Sequence, residues 1–218
     1  MQSQTKRRIG RIIVFLIALM AIIPIAAVSL FLATNSWGLT SSAILSQSFP
    51  EKDTSTPEYP ESFLPIADNL HEVQGTNQCA GYSAAFLLRH YGYDNTLGAD
   101  AYAQMDYKLS TGYVLPQAIV DYLTENGLQT RLVTSSLEQL KAHVSSGNPI
   151  IVLIGSGRHW QHYVTVIGYD SDNIYLVDTL KEPSTEPYNR TMTHSEFTTQ
   201  WNNGIPFFGR AAFIASPA

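Results

Sequence analysis

The stretch from residue 72 to residue 92, EVQGTNQCAGYSAAFLLRHYG, contains Cys79, the only cysteine of the 218-residue chain. A disulfide within one chain needs two cysteines, so Cys79 is a packing residue, an intermolecular bridge or a nucleophile. A cysteine nucleophile needs a site that favours the thiolate, a base that moves the proton, and donors for the oxyanion. Apolar residues at helical spacing follow Cys79, so we predict that it begins a helix, where unpaired backbone N–H groups favour negative charge.

Two glutamine amides near the cysteine are candidate oxyanion donors. Gln74 lies five residues upstream, in the loop that enters the predicted helix, and its amide could reach an oxyanion beside the sulfur. Gln78 directly precedes the cysteine and competes for the same role. The sequence leaves the choice between the two amides open.

His162 is the candidate base. It opens the alternating run HYVTVIGYD, which predicts a strand, so its side chain is expected at the edge of a sheet. A half-buried histidine with a structural role is the alternative. His159 and His162 also form an H-x-x-H pair, but no glutamate lies between them and no third ligand follows at helical spacing. We therefore predict neither a metal site nor a cofactor.

Asp178 is the candidate carboxylate that would orient the imidazole. It ends the run NIYLVDT, and a turn at residues 170–173 makes this predicted strand the antiparallel neighbour of the strand that begins at His162. The end of one strand then lies opposite the start of the other, which brings carboxylate and imidazole within hydrogen-bond reach. A capping role for Asp178 in the turn before Thr179 is the alternative.

The elements that must position these side chains indicate an α+β fold, with an N-terminal helical part packed on a C-terminal antiparallel sheet. Helical spacing predicts helices that start near Cys79, after Pro116 and after Ser136, each followed by a glycine that ends it. A shorter helix is expected around residues 196–201. Runs rich in Val, Ile and Tyr predict the strands GLQTRLVT, PIIVLIG, HYVTVIGYD, NIYLVDT and RAAFIAS.

The order of a cysteine helix, a histidine strand and an aspartate strand resembles papain-like cysteine peptidases. The runs QGTNQCAGYSAAFLLRHYG, HYVTVIGYDSDNIYLVDT and EFTTQW resemble the peptidases related to the double-glycine leader peptidases of bacteriocin exporters, over nearly all of residues 70–215. The resemblance implies a papain-like α+β fold and a peptide or protein substrate. It implies Cys79 as nucleophile, His162 as general base and acid, and Asp178 as orienting group. Gln74 and the Cys79 N–H would form the oxyanion hole.

The N-terminus predicts export. Four basic residues within segment 1–11 precede an uncharged apolar run, residues 12–33, that would form a helix of about 33 Å, long enough for a membrane span. This run is either an anchor or a cleaved signal peptide, with the preceding basic segment in the cytoplasm. Residues 34–62 are rich in Ser, Thr and Pro and predict a linker, and residues 63–218 form the predicted peptidase domain.

Charge narrows the possible partners. The part beyond Arg11 carries all 18 acidic residues and nine of the 13 basic ones, a formal charge of −9, so nucleic-acid binding is not expected. We predict a single-pass membrane protein with its C-terminal domain outside the cytoplasm, or a secreted one, that hydrolyses peptide or isopeptide bonds. Two other functions stay open: a catalytically inactive, tethered peptide-binding module, and a Cys-dependent cell-wall amidase or acyltransferase.

Overall fold

The part of the chain that can be described begins after the predicted membrane segment. The structure is a computed structural model, and it describes residues 46–64, 69–93, 95–157, 160–205 and 207–218. The predicted basic segment, the predicted span and the first part of the predicted linker lie outside these residues. Within them, no helix has the length and apolar character that crossing a membrane requires.

Helices occupy five segments of the described residues: α1 Cys79–His90, α2 Gly98–Gln104, α3 Pro116–Glu125, α4 Leu137–Ser145 and α5 His194–Asn202. Four of these coincide with the predicted helices, whereas the seven-residue α2 is too short for a periodic pattern. Local signals define the starts: Pro116 occupies the first turn of α3, and Ser136 forms a capping box with Gln139 at α4.

The strands of the described residues form one mixed sheet: β1 Glu51–Lys52, β2 Leu128–Thr134, β3 Ile150–Gly155, β4 Gln161–Tyr169, β5 Asn173–Val177, β6 Arg190–Thr193 and β7 Ala211–Pro217. Their order across the sheet is β1-β2-β7-β3-β4-β5-β6. The β1–β2 pair is parallel and the other pairs are antiparallel. This arrangement confirms the predicted α+β class, and the parallel β1–β2 pair makes the sheet mixed where a wholly antiparallel one was expected. The short β1 and β6 were not predicted, because β1 has only two residues, both charged, and the four residues of β6 contain a single apolar side chain, Met192.

Most of the described core lies in two clusters, one on each face of the sheet, and a third, smaller cluster comprises Phe86, Ile167 and Val177. Ile151 and Leu153 of β3 belong to the cluster that includes α1, α2 and α3, while Ile150, Val152 and Ile154 belong to the cluster with α4 and α5. All six residues of β3 are buried, as expected for a strand covered on both faces. A register shift of one residue would exchange the two faces, so this strand fixes the positions of its neighbours.

A segment that the sequence assigned to the linker lies against the sheet. Glu51 and Lys52 pair with Val133 and Thr134, and the next residue, Asp53, is buried. The Asp53 carboxylate accepts hydrogen bonds from the Ser135 hydroxyl at 2.7 Å and from Ser55 N–H at 3.0 Å. Residues Ser46–Ala218 form one compact unit. A single buried carboxylate that holds a polar segment leaves no hydrophobic pattern, which is why composition alone indicated a linker.

Candidate active site

Cys79 is the first residue of α1, as predicted, and its side chain is buried while it reaches a cleft. Because it begins the helix, its backbone N–H has no intrahelical acceptor. Gly81 lies where α1 crosses α2: a Cβ at Gly81 would stand 2.4 Å from the backbone nitrogen of Tyr102. The small residues after the cysteine therefore allow the close approach of the two helices that supports the start of α1.

His162 and Asp178 meet where β4 begins and β5 ends. The hairpin turn is closed by Asp170, whose carboxylate accepts hydrogen bonds from the backbone N–H groups of Asp172 and Asn173. Across this hairpin, His162 Nε2 lies 2.7 Å from Asp178 Oδ1, and both side chains are at least 98% buried. The hairpin thus brings together the imidazole and carboxylate as the sequence predicts. The opposite ring nitrogen, Nδ1, remains for the cysteine.

Neighbouring groups shift the pKa values of His162 and Asp178 in opposite directions. Burial alone would lower the pKa of His162, but hydrogen bonds to Asp178 and Cys79, together with the negative charge of both partners, raise it to about 9. Burial alone would raise the pKa of Asp178, but hydrogen bonds from His162, Leu180 N–H and Arg190 hold it well below its usual range. The protonated imidazole, hydrogen-bonded to the Asp178 carboxylate, is therefore the favoured form of His162 at neutral pH.

The cleft itself has a volume of about 380 Å³. Its lining comes from the loop before α1, from the start of β4 and from two separate residues: Gln74, Gly75, Thr76, Asn77, Cys79, Tyr113, Trp160, Gln161, His162 and Leu180. The Trp160 ring covers His162, with ring centroids 5.6 Å apart. Three of the four sequence-predicted site residues, Gln74, Cys79 and His162, thus line one cleft, while Asp178 contacts His162 from outside that lining.

The two candidate amides differ in their contacts. Gln74 lines the cleft, and its Oε1 accepts a hydrogen bond from the Thr179 hydroxyl at 2.6 Å. Gln78 does not belong to that lining, and its Oε1 instead accepts the Gly75 N–H at 3.2 Å. Gln74 is therefore better placed for a substrate oxygen in the cleft, and Gln78 closes the turn that enters α1.

A sequence comparison gives the family. The profile of the Peptidase_C39-like family matches residues 63–204, well over half of the chain. The chain belongs to this family. Membership confirms the predicted resemblance and the predicted class of enzyme, a cysteine peptidase that hydrolyses peptide bonds. None of the curated proteins matches the chain by sequence.

Solved structures share the fold of this C39-like peptidase. The peptidase domain of Streptococcus ComA, a bifunctional ABC transporter involved in a quorum-sensing pathway, is 21% identical with a TM-score of 0.54, over 69% of this chain and 98% of that domain. A putative C39-like peptidase from Bacillus anthracis is 15% identical with a TM-score of 0.53, over 72% of this chain and 94% of the other. At these identities the likeness concerns the fold, which confirms the predicted papain-like architecture.

Two side chains of this C39-like peptidase that the sequence analysis missed hold Asp178 in place. Arg190 Nη1 donates to Asp178 Oδ2 at 2.8 Å. The Asn189 side chain accepts the Asp178 backbone N–H at 2.7 Å and donates to the Asp178 carbonyl oxygen at 3.0 Å. The carboxylate, the backbone N–H and the carbonyl oxygen of Asp178 are thus held by two residues that follow the connection between β5 and β6. The polar run PYNRTM carries no pattern that would assign these contacts.

Metal binding finds no support among the residues that the structure describes, because none of their His, Cys, Asp and Glu side chains form a cluster of three or more suited to a metal ion. His159, the first member of the H-x-x-H pair, lies outside the described residues. The second member, His162, directs Nε2 at Asp178. The described cleft therefore presents a thiol, an imidazole and an amide, which are groups for nucleophilic attack on a carbonyl.

Proposed function

We propose that the chain is an extracytoplasmic cysteine peptidase in which Cys79 is the nucleophile, His162 the general base and acid, Asp178 the orienting group and Gln74 an oxyanion donor. One observation carries this proposal: the buried His162–Asp178 pair lies beside the only thiol of the chain, at the start of a helix and on a cleft. A packing role for the cysteine would not require a buried imidazole held by a buried carboxylate.

Acylation is the first half of the proposed reaction. The Cys79 thiolate forms a bond to the carbonyl carbon of the substrate, and the π electrons of the carbonyl move to its oxygen. The Gln74 amide and the Cys79 backbone N–H stabilise this oxyanion. When the oxyanion collapses, the C–N bond breaks, and His162 gives its Nδ1 proton to the departing amine. The product of this half is a thioester with Cys79.

Deacylation returns the enzyme to its starting state. Neutral His162 accepts a proton from water at Nδ1 while the water oxygen attacks the thioester carbonyl. The second oxyanion collapses, the carbon–sulfur bond breaks, and the carboxylic acid product leaves. Asp178 stays ionised throughout, because hydrogen bonds from His162, Leu180 N–H and Arg190 hold its pKa well below its usual range. Its task is to orient the ring and to stabilise the imidazolium.

The location is part of the proposal and rests on the sequence. The basic residues before the apolar run of residues 12–33 place the N-terminus in the cytoplasm and the peptidase domain outside it. The peptidase is then tethered by this run, or secreted after its removal. The partner inside the cleft is a peptide or protein.

Cleavage mapping tests the proposed activity. The full chain and its Cys79→Ala variant are incubated with peptides derived from a denatured proteome and, separately, with purified muropeptides, and new termini are identified by mass spectrometry. We expect new peptide N-termini with the unaltered chain and none with Cys79→Ala. Hydrolysis of amide bonds in the muropeptides without cleavage of the peptides would indicate a cell-wall amidase instead of a peptidase. Absence of both activities would leave a peptide-binding module.

A further inference from the structure

We propose that Thr179 is a positioning residue that orients the Gln74 amide so that its N–H, rather than its carbonyl, faces the reacting oxygen. This inference rests on the proposed function and adds a role that the four predicted site residues do not include. It also links the two halves of the site. Asp178 holds the base, and the very next residue holds the oxyanion donor.

The contacts around Thr179 come in a reciprocal pair. The Thr179 hydroxyl donates to Gln74 Oε1 at 2.6 Å, and the Gln74 backbone N–H donates to the Thr179 carbonyl oxygen at 2.8 Å. Thr179 is only 3% exposed, whereas Gln74 is half-buried at the cleft. A buried residue thus fixes both the backbone and the side chain of a residue that would otherwise be free to turn.

The orientation of the amide decides whether Gln74 stabilises or destabilises the oxyanion. A glutamine side chain presents two N–H donors on one atom and an acceptor on the other, and only the donor end stabilises an oxyanion. Thr179 engages Oε1, and the Gly75 carbonyl oxygen accepts one Nε2–H at 3.1 Å. These two contacts leave the second Nε2–H for a substrate oxygen. Without the hydroxyl, rotation could turn the amide carbonyl toward the developing negative charge.

The competing amide is fixed elsewhere, which makes the assignment specific. Gln78 Oε1 accepts the Gly75 N–H, and a Cβ at Gly75 would stand 2.5 Å from that oxygen. Gln78 is therefore packed against the turn rather than aimed into the cleft. The hydrogen bond from Thr179 to Gln74 therefore determines which amide N–H faces the oxyanion in this site.

Two reagents separate this role from formation of the nucleophile. Iodoacetamide reacts with the Cys79 thiolate at a methylene carbon, with loss of iodide and without an oxyanion. p-Nitrophenyl acetate reacts with the same thiolate at a carbonyl carbon, passes through an oxyanion and releases p-nitrophenolate as the thioester forms. The ratio of acylation to alkylation therefore reports the oxyanion site, because both reactions need the same thiolate.

The experiment uses the full chain, three single threonine variants, and Gln74→Ala made alone and in the Thr179→Val background. Thr179→Val replaces the hydroxyl by a methyl group of similar size, Thr179→Ser retains the hydroxyl, and Thr191→Val removes a hydroxyl from an exposed strand position in β6. Acylation by p-nitrophenyl acetate and alkylation by iodoacetamide are timed at the same pH. The pH profile of alkylation, recorded for each variant, reports whether the thiolate and imidazole remain intact.

We expect Thr179→Val to slow acylation about 10-fold or more, less than the roughly 10²–10³-fold cost of removing an oxyanion donor outright. Its alkylation rate and pH profile should match the unaltered chain, and Thr179→Ser and Thr191→Val should acylate normally. Gln74→Ala should add little further loss in the Thr179→Val background, because both changes remove the same interaction.

Two results would overturn the inference without touching the proposed function. Equal acylation by Thr179→Val and the unaltered chain would show that the hydroxyl has no role in the reaction. A parallel fall in acylation and alkylation would show a structural role only. Failure of the unaltered chain to be acylated at all would instead count against the proposed function, so the two failures are distinguishable.

Discussion

Among the residues that the structure describes, two histidines contact a buried aspartate, and one of these pairs lies beside the Cys79 thiol. His162 Nε2 is 2.7 Å from Asp178 Oδ1, and His143 Nε2 is 3.1 Å from Asp53 Oδ2. Both carboxylates are buried, and both accept further hydrogen bonds from neighbouring groups. A histidine next to a buried carboxylate is therefore not by itself evidence of catalysis in this molecule.

The difference lies in what surrounds the ring. The Ser55 hydroxyl lies 3.2 Å from His143 Nε2, the same nitrogen that contacts Asp53, so acid and hydroxyl lie on one side and no proton can pass through the ring between them. At His162 the carboxylate takes Nε2, and the cysteine is left with Nδ1. The first arrangement fastens residues 53–55 to α4, and the second can transfer a proton.

Substitution of the two aspartates should give the largest difference in activity between the two aspartate–histidine pairs. Asp178→Asn should lower kcat/KM about 10²-fold or more, because the ring loses the partner that fixes its orientation and stabilises its charge. Asp53→Asn should leave the activity of the folded protein unchanged and lower the free energy of unfolding by about 1–3 kcal/mol. Kinetics with p-nitrophenyl acetate and urea unfolding measure the two effects. Equal losses of activity in the two folded variants would contradict the distinction.

The pH dependence of activity tests the role of His162 as the acid that protonates the leaving group. Its pKa is raised to about 9, so the imidazolium that protonates the leaving group is present below that pH and is lost above it. Activity should therefore fall as the pH rises through about 9. Asp178→Asn removes a negative partner, so its alkaline fall should begin at lower pH, closer to the ordinary histidine value of about 6.5. Profiles of kcat/KM for both proteins test the direction, and a shift to higher pH would contradict it.

Arg190 should give the smallest effect. Its guanidinium shares the Asp178 carboxylate with His162, so its removal leaves more of the negative charge to the imidazolium. For Arg190→Met we expect the alkaline fall to move upward by roughly 0.5 pH unit and kcat/KM to drop a few-fold. Arg190→Lys, which keeps the charge, should restore the pH of the fall. An unchanged profile in Arg190→Met would mean that the cation serves stability alone.

The parts of the site that depend on local patterns could be predicted from the sequence. Helical spacing placed Cys79 at the start of α1, and the turn signal at residues 170–173 was enough to pair the start of β4 with the end of β5. His162 and Asp178 follow from that hairpin. Their meeting needs only the antiparallel rule and the alternation of side chains along a strand.

The contacts that tune the site could not be predicted, because they join residues far apart in the chain without any periodic signal. Thr179 and Gln74 are 105 positions apart, and His143 and Asp53 are 90 apart. Single polar side chains make these contacts, and their partners are set by the packing of the sheet. Helix α2 could not be predicted either, because only Gly98 and Ala101 are buried and its sequence therefore has no amphipathic pattern.

Alkylation of Cys79 by iodoacetamide as a function of pH tests the central claim most directly. The full chain is compared with His162→Ala and, as a matched control, with His194→Ala, which alters a half-buried histidine at the start of α5. We predict that the unaltered chain and His194→Ala react at rates that persist well below pH 7, and that His162→Ala loses this reactivity. A rate that rises only near pH 8.5, as for an ordinary thiol, and equally in all three proteins would show that Cys79 is a packing residue.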